Sequence, residues 1–501
     1  MHKHGVDSVD RKDKHLLPHR VLLMFVLLCF SAVLGLFGLR LPIRARSAAK
    51  KPTAAKNAQQ TAPRSASAEL AVTPSAPTFN ADIAPILFAR CASCHRPGQV
   101  APFPLLTYAD ASRRAQQIAI VTTSRYMPPW KPEPIQPELV NASHRRLTTH
   151  EIALLKAWAN TGMREGDPKK LLPHPRFTDD WTRGKPDLIV TMPKPYTLTA
   201  DTIDVYRSFV IPTVLSEDKW IQAVEFRPSN RRIVRDAVLY SDISGTARKL
   251  EAGSGAVGYS EFTAGMEPIT NGSFTDWSPG AAPFSLPAGF AERLPKGADL
   301  VLQLRFRPDG RKETEQTQIG LYFAPRTSPT ISSVKVPILT PAKLLLGTTE
   351  LYLQPGKKAT VTDAVILPCA VHLLKLAPHL HATGRTLTVK ADLPDGSHRS
   401  LLTISDWDIN WRESYVFAAP MLLPAGTKIT FEATFNNTAD NPRNPHSPPH
   451  RIGPSLECQE EMATLGLIVV PIHSADQSTL AKALQAMPHR PAIVETGAYI
   501  R

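Results

Sequence analysis

Proline is the residue that most limits the architecture of this chain. Forty-seven prolines are spread over 501 residues, against 26 glycines. A proline inside a helix removes a hydrogen bond and clashes with the preceding turn. That density excludes an all-helical bundle over most of the chain and suits short strands joined by turns. At roughly 150 residues per domain the length allows about three domains, each able to bury a core without disulfide staples. A hydrophobic content of 43% and a charged content of 20% exclude a mostly disordered chain and a many-span membrane protein.

The formal net charge of +14 suggests a nucleic-acid partner until its location is considered. Residues 1–20 carry five basic and three acidic side chains, and residues 40–68 carry seven basic and no acidic ones. The remainder is close to balanced and holds no basic helix or recognition motif, so no nucleic-acid partner is expected. Between the two basic regions, residues 21–39 read VLLMFVLLCFSAVLGLFGL, 19 positions without a charge. That is long enough to span a bilayer, at the short end of the range. The expectation is an uncleaved anchor; an export signal cut near Ser47, Ala48 and Ala49 is the alternative.

Cys91-Ala92-Ser93-Cys94-His95 is a CxxCH motif. Two thiols so spaced can add across the vinyl groups of haem, and the histidine that follows reaches the iron. A thiol redox pair and half of a zinc site are the competitors. No second CxxC completes a zinc site, and a type-c haem needs the export that residues 21–39 supply. For the second axial position Met127, in SRYMPPW, is held in an extended chain by two prolines. Met163, in NTGMREG, is the rival and reads better as core. Residues 110–123 and 149–161 have the pattern of amphipathic helices, so Asn80 to Gly166 is expected to form a compact helical haem domain. The segment NADIAPILFARCASCHRPGQVAPFPLLTYADA, the MPPW that follows it and LTTHEIALLKAWANTGMREGD resemble a cytochrome c domain. The resemblance implies covalent haem c, with Met127 as sixth ligand.

Past a proline-rich connector at 171–196 the texture becomes that of short strands. WIQAVEFRP, IVRDAVLY, ADLVLQLRF and IGLYFAP are followed, after 330–345, by ATVTDAVILP, TLTVKADLPDG, YVFAAPMLLP and GTKITFEATF. Such runs bounded by turn residues predict two antiparallel sandwiches, at about 190–330 and 340–475. In the second, His379 and His381 share one face of a strand and can coordinate one transition metal; a surface pair is the bland alternative. Met462, in CQEEMATLGL, offers a soft thioether that favours copper.

The stretches DVYRSFVIPTVLSEDKWIQAVEFRPSNRRIV, RLPKGADLVLQLRFRPDG, APHLHATGRTLTVKADLPDG, SDWDINWRESYVF and FNNTADNPRNP resemble the copper type II, ascorbate-dependent monooxygenases over roughly 185–470. This is the family of the peptidylglycine alpha-hydroxylating and dopamine beta-monooxygenases. The resemblance implies two jelly-roll sandwiches with an open cleft, and copper at His379, His381 and Met462, where oxygen binds and a substrate C–H is hydroxylated. It also implies a histidine-bound copper in the first sandwich. There the sequence reads Val234-Arg235-Asp236-Ala237 and Leu304-Arg305-Phe306-Arg307. A protonated guanidinium has no lone pair to donate, so that second copper site is expected to be lost, with an ion-pair network among Arg235, Asp236, Arg305 and Arg307 in its place.

The expected fold class is multidomain: an N-terminal membrane helix, an all-α cytochrome c domain, then two all-β jelly-roll-like sandwiches. The boundaries are 1–20 for a cytoplasmic tail, 21–39 for the anchor, 40–75 for a basic linker and 76–170 for the cytochrome domain. The sandwiches follow at 171–335 and 336–475, and a poorly structured tail at 476–501. The expected partners are a small-molecule substrate, O2, and an electron donor or acceptor such as a quinol or a soluble cytochrome. The expected location is the bacterial inner membrane, with the bulk of the chain in the periplasm. Two functions stay open: a haem- and copper-containing monooxygenase, or an electron-transfer cytochrome with a non-catalytic scaffold.

Cys369 and Cys458 are expected to form a disulfide, with two buried thiols as the alternative. Trp407 and Trp411 read as core and rim aromatics, and Asp406 and Asp408 as turn or network residues. His446 and His450 are expected to lie exposed in a proline-rich loop, with a third imidazole for copper as the alternative, and His372 is not placed by alternation. The histidines at 2, 4, 15 and 19 are assigned nothing.

Overall fold

The computed structural model describes residues 76–177, 180–200, 204–261, 275–287, 289–324, 342–411, 413–453, 461–486 and 491–496. Val72–Arg501 forms one compact unit. Two antiparallel sandwiches dominate it. In the first, one sheet orders Leu188–Thr191, Gln318–Phe323, Lys219–Arg227 and Phe284–Ser285, with Glu292–Leu294 also pairing Lys219–Arg227. The other orders Val205–Pro212, Asp299–Phe306, Val234–Asp242 and Thr275–Trp277. Phe209, Leu302, Leu304, Phe306 and Ile319 are buried between them.

The second sandwich sets Ala342–Thr348, Ala463–Pro471, Val371–Leu380 and Tyr415–Leu423 against a five-stranded sheet. That sheet runs His398–Ile404, Gly384–Asp392, Lys428–Asn437, Lys357–Ile366 and Ala492–Thr496. Strand Val371–Leu380 carries a register shift between Leu373 and Lys375 against both of its neighbours. The bulge changes which residues face inward. Val371 and Leu373 pack into the core before it, Leu376 and Leu380 after it, while Leu374 packs outward with Leu286, Ile468 and Val470. A bulge inserts one residue and re-aims the side chains beyond it. Here it turns Lys375, Ala377, His379 and His381 toward the first sandwich, where they line a cavity.

Polar contacts hold the sandwiches together. The Lys375 ammonium, 2% exposed, pairs with Asp276 of the first sandwich, whose carboxylate also accepts the Ser414 N–H at 3.2 Å. Burial pushes the Asp276 carboxyl up, but Lys375 and the Ser414 donors outweigh it and hold the group below the usual carboxylate range. Lys343 and Glu292 form a second bridge at 2.8 Å.

The N-terminal part of the described chain departs from expectation. Short helices do form, at Ala84–Arg90, Tyr108–Ser112, Ala115–Thr123 and Thr149–Asn160. Thr107 and Thr148 close capping boxes with Asp110 and Glu151, and Trp158 packs on Phe79 in a small core. These helices are not an all-α domain of their own. After Met127 the chain leaves them and runs across the second sandwich: the Glu133 N–H donates to Thr403 O at 2.9 Å, Leu139 bridges Phe417, and the Val140 N–H donates to Val416 O at 2.8 Å. Leu139 and Ala142 belong to the core of that sandwich, because apolar side chains on an extended segment bury most readily against an existing sheet. The all-α cytochrome domain is therefore corrected to a helical appendage built onto a β-sandwich protein.

The expected membrane helix at 21–39 lies outside the described residues, and among the described residues no helix is long and apolar enough to cross a membrane. The expected unstructured tail is also corrected. Gln477–Ala486 is a helix that buries Leu480 in the second core, and Ala492–Thr496 pairs with Lys357–Ile366.

Removing one partner of a buried ion pair strands the other charge at a cost of about 3–5 kcal/mol. Asp276→Ala should lower the unfolding free energy by about that amount in urea titrations, whereas the double substitution Asp276→Leu with Lys375→Met should recover most of it.

Candidate metal centre

The cavity of about 250 Å³ between the sandwiches is lined by His379, His381 and Met462 from one side and by residues such as Asp236, Val238 and Trp277 from the other. Register brings the three candidate ligands together. His379 pairs with Thr464 and Leu380 with Ala463, so the next position on the facing strand, Met462, comes opposite His381. Gly347, at φ +89°, lets the neighbouring strand approach: a Cβ there would overlap the Ala463 carbonyl oxygen. His381 and Met462 are 4% and 3% exposed.

The Nε2 atoms of His379 and His381 lie 3.1 Å apart. With metal–nitrogen bonds of about 2.0–2.1 Å, that separation gives an N–metal–N angle of roughly 100°, suited to one ion. No cluster of three His, Cys, Asp or Glu side chains among the described residues is placed to hold a metal. Met462, the thioether expected as a further donor, lines the same cavity as the two histidines, and a set of two imidazoles and one thioether would suit copper.

Next to Met462, behind the residues that line the cavity, stands one residue that sequence reasoning missed. Glu461, 1% exposed, accepts hydrogen bonds from the His381 N–H at 2.5 Å, the Thr383 N–H at 3.0 Å, the Thr383 hydroxyl at 2.6 Å and the Met462 N–H at 3.1 Å. It ties the backbone of one candidate ligand to that of another. Burial pushes its carboxyl up to about 7, against the four donors that favour the ionised form. Its only trace in the sequence is an acidic pair, Glu460-Glu461, at the head of an apolar strand. Trp407 adds a second tie, its indole N–H donating to the His381 carbonyl at 3.2 Å.

The strand positions at which a second copper site was expected to be lost carry charged side chains. The Arg305 Nε donates to Asp204 at 2.8 Å and its Nη1 lies 3.5 Å from Asp236. Asp204 was absent from the expected network, and Arg235 and Arg307 repel one another rather than pairing.

The CxxCH motif follows the helix Ala84–Arg90, with the His95 N–H donating to Cys91 O at 2.9 Å. His95 Nδ1 lies 3.1 Å from Phe103 O, which fixes the ring and directs Nε2 as the lone-pair nitrogen, the arrangement a metal-binding imidazole needs. Burial pushes the Cys91 thiol up to about 12 and raises that of Cys94. The donor set suits haem attachment, whereas a thiol redox pair needs lowered values. Met163 packs on the helical core; Met127 is not among the residues that do.

The remaining candidates are placed as follows. Trp407 is buried, and Asp406 bridges Lys131 at 2.9 Å and Arg443 at 2.8 Å. Asp408 accepts the Asn410 N–H in a turn. The rings of His446 and His450 lie 3.6 Å apart between centroids, tilted by 45°, and neither they nor His372 lines the cavity. Cys369 is buried, and Cys458 lies outside the described residues.

A carboxyl whose pKa is raised on folding stabilises the fold below its unfolded value and loses that contribution as pH rises to the folded one. Relative to Glu461→Gln, the wild-type protein should therefore lose stability between pH 4.5 and about 7, read as diverging melting temperatures.

No family model matches the chain, and no curated protein matches it. A structure of infectious bursal disease virus, Gx strain, is 11% identical with a TM-score of 0.16, covering 62% of this chain and 75% of that one. A two-domain protein of unknown function from Bacteroides fragilis is 10% identical with a TM-score of 0.13, covering 53% and 85%. At such scores neither likeness bears on fold or function.

Proposed function

We propose that the protein is a haem- and copper-containing oxidoreductase that hydroxylates a C–H bond of a small substrate with O2. The observation that carries this reading is the pair of imidazole nitrogens 3.1 Å apart, beside a buried thioether, in a cavity between two sandwiches. Copper held by His379, His381 and Met462 supplies a one-electron couple and a place for oxygen to bind. The residues of the chain do the rest. Glu461 and Trp407 hold the ligands in place, and Val238, Ala377 and Ile468 give the substrate an apolar wall that excludes water.

Hydroxylation with O2 consumes two electrons, one oxygen atom entering the substrate and the other leaving as water. Cys91, Cys94, His95 and Met127 are the residues that would hold a covalent haem, which would supply a second one-electron couple to the chain. Because haem c is attached outside the cytoplasm, the bulk of the chain is placed in the periplasm, anchored to the inner membrane by residues 21–39. A quinol or soluble cytochrome is the proposed redox partner. The Arg305 ion pairs favour a second reading, in which oxygen chemistry has been lost and the sandwiches serve as a binding scaffold for an electron-transfer cytochrome.

Metal analysis with EPR separates the two. One copper and one haem per chain, with a type II copper signal weakened more than about ten-fold in His379→Ala and an unchanged haem spectrum, is the expected outcome. Haem without copper rejects the monooxygenase. Cys91→Ala together with Cys94→Ala should abolish covalent haem on a denaturing gel while sparing copper.

A further inference from the structure

At the end of the first sandwich nearest Tyr126, the described residues bring three guanidiniums close together. Arg305 is 5% exposed and well provided for, with Asp204 at 2.7 Å, Asp236 at 3.5 Å and the Ile409 carbonyl at 3.4 Å. Arg235 and Arg307 are not. Their positions flank the pairing of Asp236 with Arg305 on adjacent strands, and among the described residues neither guanidinium is within ion-pair distance of a carboxylate. The Arg235 Nε is buried without a hydrogen-bond partner. Burial, and then repulsion from Arg307 and Arg305, bias Arg235 away from its charged form.

A second orphan donor belongs to the same neighbourhood. The Trp411 indole N–H is buried with no partner, two residues beyond the Ile409 carbonyl that meets Arg305. The Trp411 ring stands 6.1 Å from that of Tyr126, and Tyr126 is within electrostatic reach of Arg235. Buried N–H groups are nearly always paired, so two of them without partners mark a missing acceptor. Among the described residues, Arg235 and Arg307 add two guanidiniums beside the cluster of Arg305, Asp204 and Asp236, a surplus that favours an anion. The planar fork of a guanidinium fits a carboxylate.

We propose that Arg235 and Arg307, with the indole N–H of Trp411, bind a carboxylate group at this junction. None of these three residues lines the cavity that holds His379, His381 and Met462. A free small-molecule carboxylate and a propionate of attached haem present the same chemistry, and Tyr126 is the chain neighbour of Met127.

The test uses the haem-loaded protein, Arg235→Gln and Arg307→Gln, with Arg293→Gln, an exposed partner of Asp218, as control. Benzoate and its uncharged isostere benzamide are titrated by calorimetry, and the haem propionate bending modes are followed by resonance Raman spectroscopy. If the occupant is a free carboxylate, wild type binds benzoate in preference to benzamide, and either variant binds it at least ten-fold more weakly with the Raman modes unmoved. If it is a propionate, wild type takes no benzoate, and the bending modes shift in both variants but not in the control. The proposal is overturned if benzoate binds no better than benzamide while the modes stay fixed, or if benzoate binding survives both substitutions. Arg307 is exposed, so Arg307→Gln is expected to fold even if Arg235→Gln does not. Copper content, measured alongside, separates failure here from failure of the metal centre.

Discussion

One extra residue in one strand decides what the cleft is made of. Without the bulge at Leu374, the alternation set by Val371 and Leu373 would carry Lys375, Ala377, His379 and His381 into the hydrophobic core. With it, Leu376 and Leu380 take the inward places and the polar set faces the other sandwich. The buried Lys375–Asp276 ion pair follows from the same shift, and with Ser414 it fixes how the opposed sheets meet. An ammonium in the protein interior is tolerable only with such a partner, so fold and docking are set together.

The helical segment is locked to this arrangement by a second buried charge cluster. Arg145 pairs with Glu413 of the second sandwich, and the same carboxylate accepts from Ser278 of the first at 3.2 Å. Burial raises the Glu413 carboxyl despite Arg145. Cys94 lies within the field of both groups, and a side chain at Gly280 would come within 3.1 Å of its sulfur. The CxxCH motif thus adjoins the point where all three parts of the chain touch.

Much of this was written in the sequence, and the reasons for the rest are specific. Strand runs bounded by Pro and Gly announced two sandwiches, and an HxH spacing put two imidazoles on one face because period 2 survives any local shift. Which face they occupy was not legible, since it turns on a bulge that Leu374 does not advertise. Met462 could be proposed by its thioether alone, but its place opposite His381 depends on strand register. Glu461 was illegible for the opposite reason: glutamates are ordinarily solvated, and only burial and four donors mark this one as structural. The helices were readable from their periodicity, yet their independence was not. Leu139 and Ala142 look like any apolar residues until a neighbouring sheet claims them.

The strand Ala492–Thr496 has a consequence of its own. All five of its side chains are exposed, so it adds little to the core, yet its backbone pairs with Lys358–Thr362 along the border of a five-stranded sheet. Its value is protective. An unpaired border strand is a template for joining another molecule edge to edge, and β-rich folds survive by denying that template. A protease that clipped the chain before residue 492 would move the open border from this five-residue strand to the ten-residue strand Lys357–Ile366. The longer open edge would be the better template for edge-to-edge pairing.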